Sequence, residues 1–263
     1  MTSLLIVVCL HAARYQPGRA RSSRAAELLA TCINMHKLIL WDIDGTLLYS
    51  GGVAGEAMRA AMTIVYGSPS DNERRAYAGK TDQQIILETF PDRSPAELLS
   101  RLDEFTTTYL GMLAAQADAF RSRGHVMAGV VAVLQRLHEA GPVQSLLTGN
   151  LAPVARLKLD LMSIAGFFDF EAGAYGSDSP RRTDLAPIAA ARAARRYGRE
   201  FSGADVVVVG DTPHDIACAR AAGARAVAVA TGPFGMAELA AHSPDAALAD
   251  LSDTEAVLAA ILG

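Results

Sequence analysis

Four consecutive valines, Val206 to Val209, limit the kind of strand that this chain contains. β-Branched residues favour strands, and a run that is apolar on both faces is typical of a central parallel strand covered by helices on both sides. Other short apolar runs begin at Leu38, Val143 and Ala226, and each ends close to polar residues or glycine. We therefore expect a parallel sheet that contains these four runs as strands.

Helical segments alternate with the apolar runs. Each of three such segments is followed by a glycine, the residue that most often ends a helix. Alternation of strand and helix predicts an α/β fold with a Rossmann-like, doubly wound parallel sheet. The three segments are 128–140, 185–197 and 213–222.

The stretch 53–124 interrupts this alternation, because it contains helical patterns in succession and no convincing strand. Within it, Ser94-Pro95-Ala96-Glu97 has the pattern of a capping box with proline at the first helical position, which predicts a helix start there. We predict an inserted α-helical cap domain over 53–124, and a core domain formed by 35–52 and 125–263.

The first 34 residues differ in composition from the rest. A short apolar stretch leads into four arginines between residues 14 and 24, and no acidic residue precedes Glu27. This composition fits an organellar transit peptide. The alternative, which we favour, is that the start codon is assigned too early and that Met35 begins the protein, which predicts that residues 1–34 form an extension that packs poorly.

Composition restricts the partners of the chain. A formal net charge of −4, with no long basic tract after residue 24, argues against nucleic acid as a partner. No apolar run approaches the roughly 18 residues that cross a bilayer, so we expect no membrane association. Three scattered cysteines predict free thiols in a reducing, cytoplasmic location. A monomer and a homodimer are both compatible with the sequence.

Acidic residues follow the first apolar run directly, in the sequence Asp42-Ile43-Asp44-Gly45-Thr46. Open α/β sheets bind ligands in the crevice beyond the carboxyl ends of their strands, so a carboxylate at this place faces a ligand site. Taken alone, a turn and a helix N-cap would explain the same residues.

Two further groups come next along the chain. Thr148, Gly149 and Asn150 end the second apolar run, where they offer a hydroxyl and backbone N–H groups that can approach an anion. A cationic side chain then follows, for which Arg182 and Lys158 are the candidates.

Asp211 and Asp215 follow the valine run, and two acids four residues apart at a strand end can address one cation together. Each group has an ordinary structural explanation by itself, but their order and their positions at strand ends form a specific set. The chain resembles phosphatases of the haloacid dehalogenase superfamily that carry a helical C1-type cap, such as phosphoglycolate phosphatases. The resemblance covers residues 36–262.

The resemblance implies a mechanism and a cofactor. Asp42 would be the nucleophile that forms an aspartyl-phosphate, and Asp44 would be the general acid and base. The implied cofactor is Mg²⁺, held by Asp42, Asp211 and the backbone carbonyl of Asp44. Asp215 would hold metal-bound water or orient its neighbours.

The same resemblance implies the groups that bind phosphate. Thr148 and the backbone around Gly149 and Asn150 would hold the transferring oxygens, with Arg182 as the charge-stabilising cation. Arg182 stands where the family usually has lysine, so Lys158 remains the substitute.

The segment Ala78-Gly79-Lys80-Thr81-Asp82 is similar to one that faces the active site in helical-capped members of the superfamily. Lys80 would there meet a second anionic group, which suits phosphoglycolate or a sugar phosphate. The alternative is a helix N-terminus with Thr81 or Asp82 as its cap.

The predicted function is the Mg²⁺-dependent hydrolysis of a small-molecule phosphate monoester. An acid at position 44 favours this choice within the superfamily, because it can protonate a departing alkoxide. Two alternatives remain: a phosphomutase of the same superfamily, and a non-catalytic phosphate-binding protein.

Overall fold

A computed structural model describes residues 36–68 and 77–263 of the chain. The predicted N-terminal extension, 1–34, lies outside the described residues, as do Cys9 and Cys32. None of the helices within the described ranges is long and apolar enough to span a membrane.

Eight strands and eleven helices are formed by the described residues. The strands are β1 (Leu38–Trp41), β2 (Leu48–Tyr49), β3 (His125–Val126), β4 (Val143–Thr148), β5 (Ala174–Tyr175), β6 (Val206–Gly210), β7 (Arg225–Val229) and β8 (Ala246–Leu248). The helices are α1 (Val53–Tyr66), α2 (Asp82–Thr89), α3 (Pro95–Ser100), α4 (Leu102–Ala115), α5 (Ala117–Arg123), α6 (Val130–Ala140), α7 (Ala152–Leu161), α8 (Leu185–Tyr197), α9 (Pro213–Ala221), α10 (Met236–Ala241) and α11 (Thr254–Leu262).

Six of the strands form one parallel sheet in the order β5-β4-β1-β6-β7-β8. Strand β1 is central, with Leu38 opposite both Val143 of β4 and Val206 of β6. Helices follow the strands on both faces, so the predicted Rossmann-like α/β fold class is confirmed. The four apolar runs are the predicted strands β1, β4, β6 and β7.

Side chains of the sheet alternate between two apolar cores, as the two-residue period of a strand requires. Ile39 and Trp41 of β1 join one core, whereas Leu38 and Leu40 join the other. All four are fully buried, as expected for a strand covered on both faces.

A helical insertion, defined here as helices α1 to α5 with their connections, begins after β2 and ends before β3, and these two strands form a separate two-stranded sheet. The two short strands pair antiparallel, so the outgoing and returning chains lie side by side. Arg123 on the returning chain donates to the carbonyl oxygen of Gly51 (2.6 Å) and to the carboxylate of Glu56 (2.8 Å). Gly51 and Gly52 have φ angles of 63° and 81°, a conformation that favours glycine.

The apolar side chains of the insertion extend the core that contains Ile39 and Trp41. Helices α1 and α4 pack together, and the ring of Tyr66 lies 5.7 Å from that of Phe105. Helix α3 begins at Pro95 as predicted, but the predicted capping box is wrong, because Ser94 makes no capping hydrogen bond. The Glu97 carboxylate pairs instead with the guanidinium of Arg93.

Candidate active site

Three parallel strands end at the same edge of the sheet, and polar residues that the sequence predicts as site residues lie at or directly after these strand ends. Asp42 follows β1, Thr148 ends β4, and Asp211 follows β6. All three are buried, with Asp42 only 4% exposed. A cavity of about 270 Å³ lies at this edge. Eight of the predicted residues line it: Asp42, Asp44, Lys80, Thr148, Gly149, Asn150, Lys158 and Arg182.

The guanidinium of Arg182 holds the Asp42 side chain in place. Arg182 begins a short 3₁₀ turn, Arg182–Asp184, that leads into α8. Its Nη2 lies 2.8 Å from Oδ1 of Asp42 and 2.5 Å from Oδ1 of Asp215, and the arginine is 5% exposed. Burial lowers the pKa of Arg182, but the charges of Asp215 and Asp42 outweigh it, so the group stays cationic.

Lys158 lies at a different carboxylate of the same cavity. Its ammonium, on α7, contacts both oxygens of Asp44, at 2.9 and 2.7 Å, and Oδ1 of Asn150 at 2.6 Å. Asn150 in turn donates from Nδ2 to Asp44 (2.8 Å) and to the hydroxyl of Thr148 (2.8 Å). Arg182 and Lys158, weighed as alternatives from sequence, are therefore both present in the cavity and hold different acids.

Two further carboxylates, those of Asp211 and Asp215, lie close to the carboxylate of Asp42. One oxygen each of Asp42, Asp211 and Asp215 lie within 4.8 Å of one another, and all three residues are buried. Burial, and then the charges of Asp42 and Asp215, raise the pKa of Asp211. Burial likewise raises the pKa of Asp42, although Arg182 opposes the shift. Such an excess of buried negative charge fits a divalent cation with oxygen ligands.

Two of these acids are positioned by their surroundings. Thr46 donates its hydroxyl to Oδ1 of Asp211 at 3.0 Å, and a Cβ atom at Gly232 would lie 1.7 Å from Oδ2 of the same residue. Asp215 accepts from the backbone N–H and the hydroxyl of Thr212 through Oδ2, at 3.0 and 2.7 Å. Both oxygens of Asp215 are therefore occupied by protein groups, which fits an orienting role better than direct metal ligation.

Metal and pH should act together on stability. The pKa values of Asp42 and Asp211 rise to about 6 and about 8 in the folded protein, whereas a free aspartate has a pKa of about 3.9. The folded state thus binds more protons between about pH 4 and pH 8, so the metal-free protein loses stability as pH rises through that window. A bound cation favours the ionised acids, so the Tm gained on adding Mg²⁺ should widen from pH 5 to pH 8.

Thermal unfolding followed by circular dichroism, in Mg²⁺ or in chelator at matched ionic strength, measures this difference. A gain in Tm that is the same at pH 5 and pH 8 would contradict the assignment of these acids to a cation site.

The helical insertion closes the cavity from the side away from the sheet. It contributes apolar residues of α1 and α2, the ring of Tyr109 from α4, and the polar side chains of Lys80 and Asp82. The Lys80 ammonium, predicted to meet an anionic group, pairs with the carboxylate of Glu88 at 2.6 Å. Thr81 is the N-cap of α2 and accepts from the N–H of Gln84, so the alternative interpretation as a helix start is confirmed, whereas the contact of Lys80 with an anionic group of the substrate stays a prediction.

Asp82 and Tyr109 were not predicted as site residues. Asp82 belongs to the segment that sequence singled out, but as a possible helix cap. Burial raises its pKa to about 6, against the opposing charge of Lys158. Tyr109 lies in the middle of a helix whose pattern indicates packing only, so its position depends on how α4 folds back toward the sheet.

Hydrogen bonds connect the insertion to the sheet edge. The N–H of Asp82 donates to the carbonyl of Gly149 at 2.8 Å, and the N–H of Leu151 donates to Oδ2 of Asp82 at 2.9 Å. A Cβ atom at Gly149 would lie 2.0 Å from the carbonyl oxygen of Lys80. Only glycine fits at this position, where two backbone segments meet.

Comparisons with known proteins identify the family of the chain. Residues 36–223 match the model of the haloacid dehalogenase-like hydrolase family. A phosphoglycolate phosphatase from Xanthomonas campestris pv. campestris is 30% identical over 198 residues, which are 74% of this chain and 84% of that protein. A pyrophosphatase from Anoxybacillus flavithermus is 27% identical over 84% of this chain and 95% of its own length.

Solved structures show the same fold. The crystal structure of a predicted phosphatase from Clostridium acetobutylicum superposes with a TM-score of 0.64 at 16% identity, over 85% of this chain and 98% of that one. The fold, the site and the relatives together define a hydrolase of the phosphatase class. The chain belongs to the haloacid dehalogenase-like hydrolase family.

Proposed function

We propose that this protein is a Mg²⁺-dependent phosphatase that hydrolyses a small-molecule phosphate monoester through an aspartyl-phosphate on Asp42. The observation that carries the proposal is the position of Asp42. Its carboxylate reaches the cavity, with Arg182 on one oxygen and the acids Asp211 and Asp215 close by. We further propose that residues 53–124 are the cap domain, and that 35–52 and 125–263 form the core.

The first half-reaction transfers the phosphoryl group to the protein. An oxygen of Asp42 attacks phosphorus in line, and the bond from phosphorus to the ester oxygen breaks. Asp44 gives its proton to that departing oxygen, a contribution typically worth about 10²- to 10⁴-fold in rate. The hydroxyl of Thr148 and the N–H groups of Ile43 and Gly149 bind the equatorial oxygens.

The second half-reaction releases phosphate. Asp44, now ionised, takes a proton from water, and the oxygen of that water attacks phosphorus and frees Asp42. Lys158 and Asn150 are positioning residues for this step, because their contacts orient the Asp44 carboxylate.

The acid cluster supplies a cation site for this chemistry. Asp42, Asp211 and the backbone carbonyl of Asp44 would hold Mg²⁺, and Asp215 would orient them through Arg182 and Thr212. When bound, Mg²⁺ neutralises charge between a carboxylate nucleophile and a phosphate dianion. Arg182 offsets the same repulsion from the protein side.

The substrate is a small phosphate ester, of the phosphoglycolate or sugar phosphate type. The names of the relatives support a small phosphorylated compound, and so does a cavity below the roughly 300–1,000 Å³ of pockets for drug-sized ligands. The sparse cysteines support a cytoplasmic location, and a monomer or homodimer stays a prediction.

Phosphate release from p-nitrophenyl phosphate, in chelator and across a Mg²⁺ titration, tests the proposed function. We expect saturable dependence on Mg²⁺ and essentially no turnover in chelator. Turnover that survives chelation would contradict the metal requirement. Conversion of a sugar phosphate to its positional isomer without phosphate release would identify a phosphomutase, and binding of phosphate without any turnover would identify a binding protein.

A further inference from the structure

The cavity wall contributed by the insertion carries two deeply buried polar groups that the proposed mechanism does not use. Asp82 is 5% exposed and Tyr109 is 2% exposed, and both line the cavity. Both line the same cavity as Asp44, the residue proposed to protonate the departing oxygen, so they face the side of the cavity where the leaving group would lie.

Each of the two groups has an unused hydrogen-bonding capacity. Oδ2 of Asp82 accepts a hydrogen bond from the N–H of Leu151, and among the described residues Oδ1 of Asp82 has no hydrogen-bond partner. The hydroxyl of Tyr109 likewise makes no hydrogen bond within the described ranges. Neither oxygen is sealed inside the protein, so both face the cavity. Polar atoms this deeply placed normally have a partner, which here a substrate would supply.

We propose that Asp82 and Tyr109 are specificity-determining residues that bind a hydroxyl group of the leaving alcohol, so that the substrate is a small phosphorylated polyol or sugar. This inference rests on the proposed phosphatase function. An ionised carboxylate only accepts hydrogen bonds, whereas a tyrosine hydroxyl can donate. A substrate hydroxyl matches both, because it can donate to Asp82 and accept from Tyr109.

Charge in the cavity argues against a second anionic group on the substrate. Each described cation on the cavity wall already has an acidic partner: Lys80 has Glu88, Lys158 has Asp44, and Arg182 has Asp42 and Asp215. A carboxylate on the leaving group would lie beside Asp82 and Asp44 and could not donate to either. The site is therefore better matched to a hydroxylated ester than to phosphoglycolate.

Four phosphate esters of similar size test the inference: glycerol 3-phosphate, propyl phosphate, ethanolamine phosphate and phosphoglycolate. We expect kcat/KM in Mg²⁺ to be about tenfold to hundredfold higher for glycerol 3-phosphate than for propyl phosphate, because the latter leaves both polar groups unpaired. A preference for ethanolamine phosphate would assign the site to an ammonium group, and a preference for phosphoglycolate to an anion. Either result would overturn the proposal.

Two variants test whether Asp82 and Tyr109 cause the preference for glycerol 3-phosphate over propyl phosphate. Asp82→Asn keeps an oxygen for the N–H of Leu151 but turns a donor toward the cavity, so the ratio of kcat/KM for glycerol 3-phosphate over propyl phosphate should fall about tenfold or more. Tyr109→Phe should lower the same ratio severalfold. Asp103→Asn, at an exposed position of the insertion, is the matched control and should leave the ratio unchanged. Equal losses on all four esters would indicate a purely structural role and overturn the proposal.

A binding measurement separates this inference from the proposed function. Asp42→Asn protein, which lacks the nucleophile, can be titrated by calorimetry with glycerol 3-phosphate and propyl phosphate in Mg²⁺. If the wild type hydrolyses no ester, the proposed function fails. The hydroxyl site is still supported if the Asp42→Asn protein binds glycerol 3-phosphate more tightly than propyl phosphate and the additional Asp82→Asn substitution abolishes that preference. Equal affinity for the two esters overturns the hydroxyl site.

Discussion

Asp42→Asn should release phosphate from p-nitrophenyl phosphate at least about 10⁴-fold more slowly than the wild type, the scale of loss seen when a catalytic nucleophile is removed. The amide keeps the size of the carboxylate and can still accept from Arg182, but it lacks the charge that attacks phosphorus. Acid-quenched wild type should gain the mass of one phosphoryl group during turnover, and the variant should not.

Asp118→Asn, at a fully exposed position in the insertion, is the matched control and should keep wild-type rates. Turnover or phosphoryl labelling that persists in Asp42→Asn would remove Asp42 as the nucleophile and point to a different site.

Arg182→Met should lower the free energy of unfolding of the metal-free protein by about 3–5 kcal/mol at pH 7, the cost of breaking a buried ion pair. The side chain of Arg182 is 5% exposed and serves two buried acids, so its loss leaves Asp42 and Asp215 without their cation. Mg²⁺ should restore part of this loss, because it supplies positive charge to the same cluster. Turnover should also collapse, since Arg182 offsets charge on the phosphoryl group.

Arg181→Met is the control, because the neighbouring arginine is 79% exposed and pairs only with Asp184 among the described residues. It should change the free energy of unfolding by less than about 1 kcal/mol in urea titrations. Similar losses for the two variants would contradict the ion-pair account.

Much of the sheet could be predicted because its strands are short, apolar and followed by polar turns. The valine run and the run at Leu38 are adjacent strands, so the acids that follow them meet at one edge. The apolar runs that form these strands are local patterns in the chain, and the parallel pairing of the two strands then brings Asp211 beside Asp42.

The sequence identified the two cationic side chains of the site, but it did not predict which acid each of them contacts. Sequence offered Arg182 and Lys158 as substitutes for one another, whereas the structure places them on Asp42 and Asp44 respectively. The difference depends on where α7 and the turn before α8 lie relative to β1, which spacing along the chain does not determine.

Residues of the insertion were the hardest to predict. Tyr109 has the helical spacing of a core residue, and it reaches the cavity only because α4 packs against α1. The capping box at Ser94 failed because Arg93 competes for the Glu97 side chain. The position of Tyr109 depends on a contact between two helices that the local pattern does not contain, whereas the pair of Arg93 with Glu97 is an i,i+4 contact that competes with the capping box.

The hydrogen bond from the N–H of Asp82 to the carbonyl of Gly149 has an evolutionary consequence. The loop that would hold the transferred phosphate and the segment that faces the leaving alcohol share a backbone contact, with no room for a side chain between them. A mutation that reshapes residues 77–83 for a new alcohol therefore also moves the backbone on which rate depends. Side chains of α1 and α4 that line the cavity could change without altering this hydrogen bond, so we expect descendants of this enzyme to change substrate most easily there.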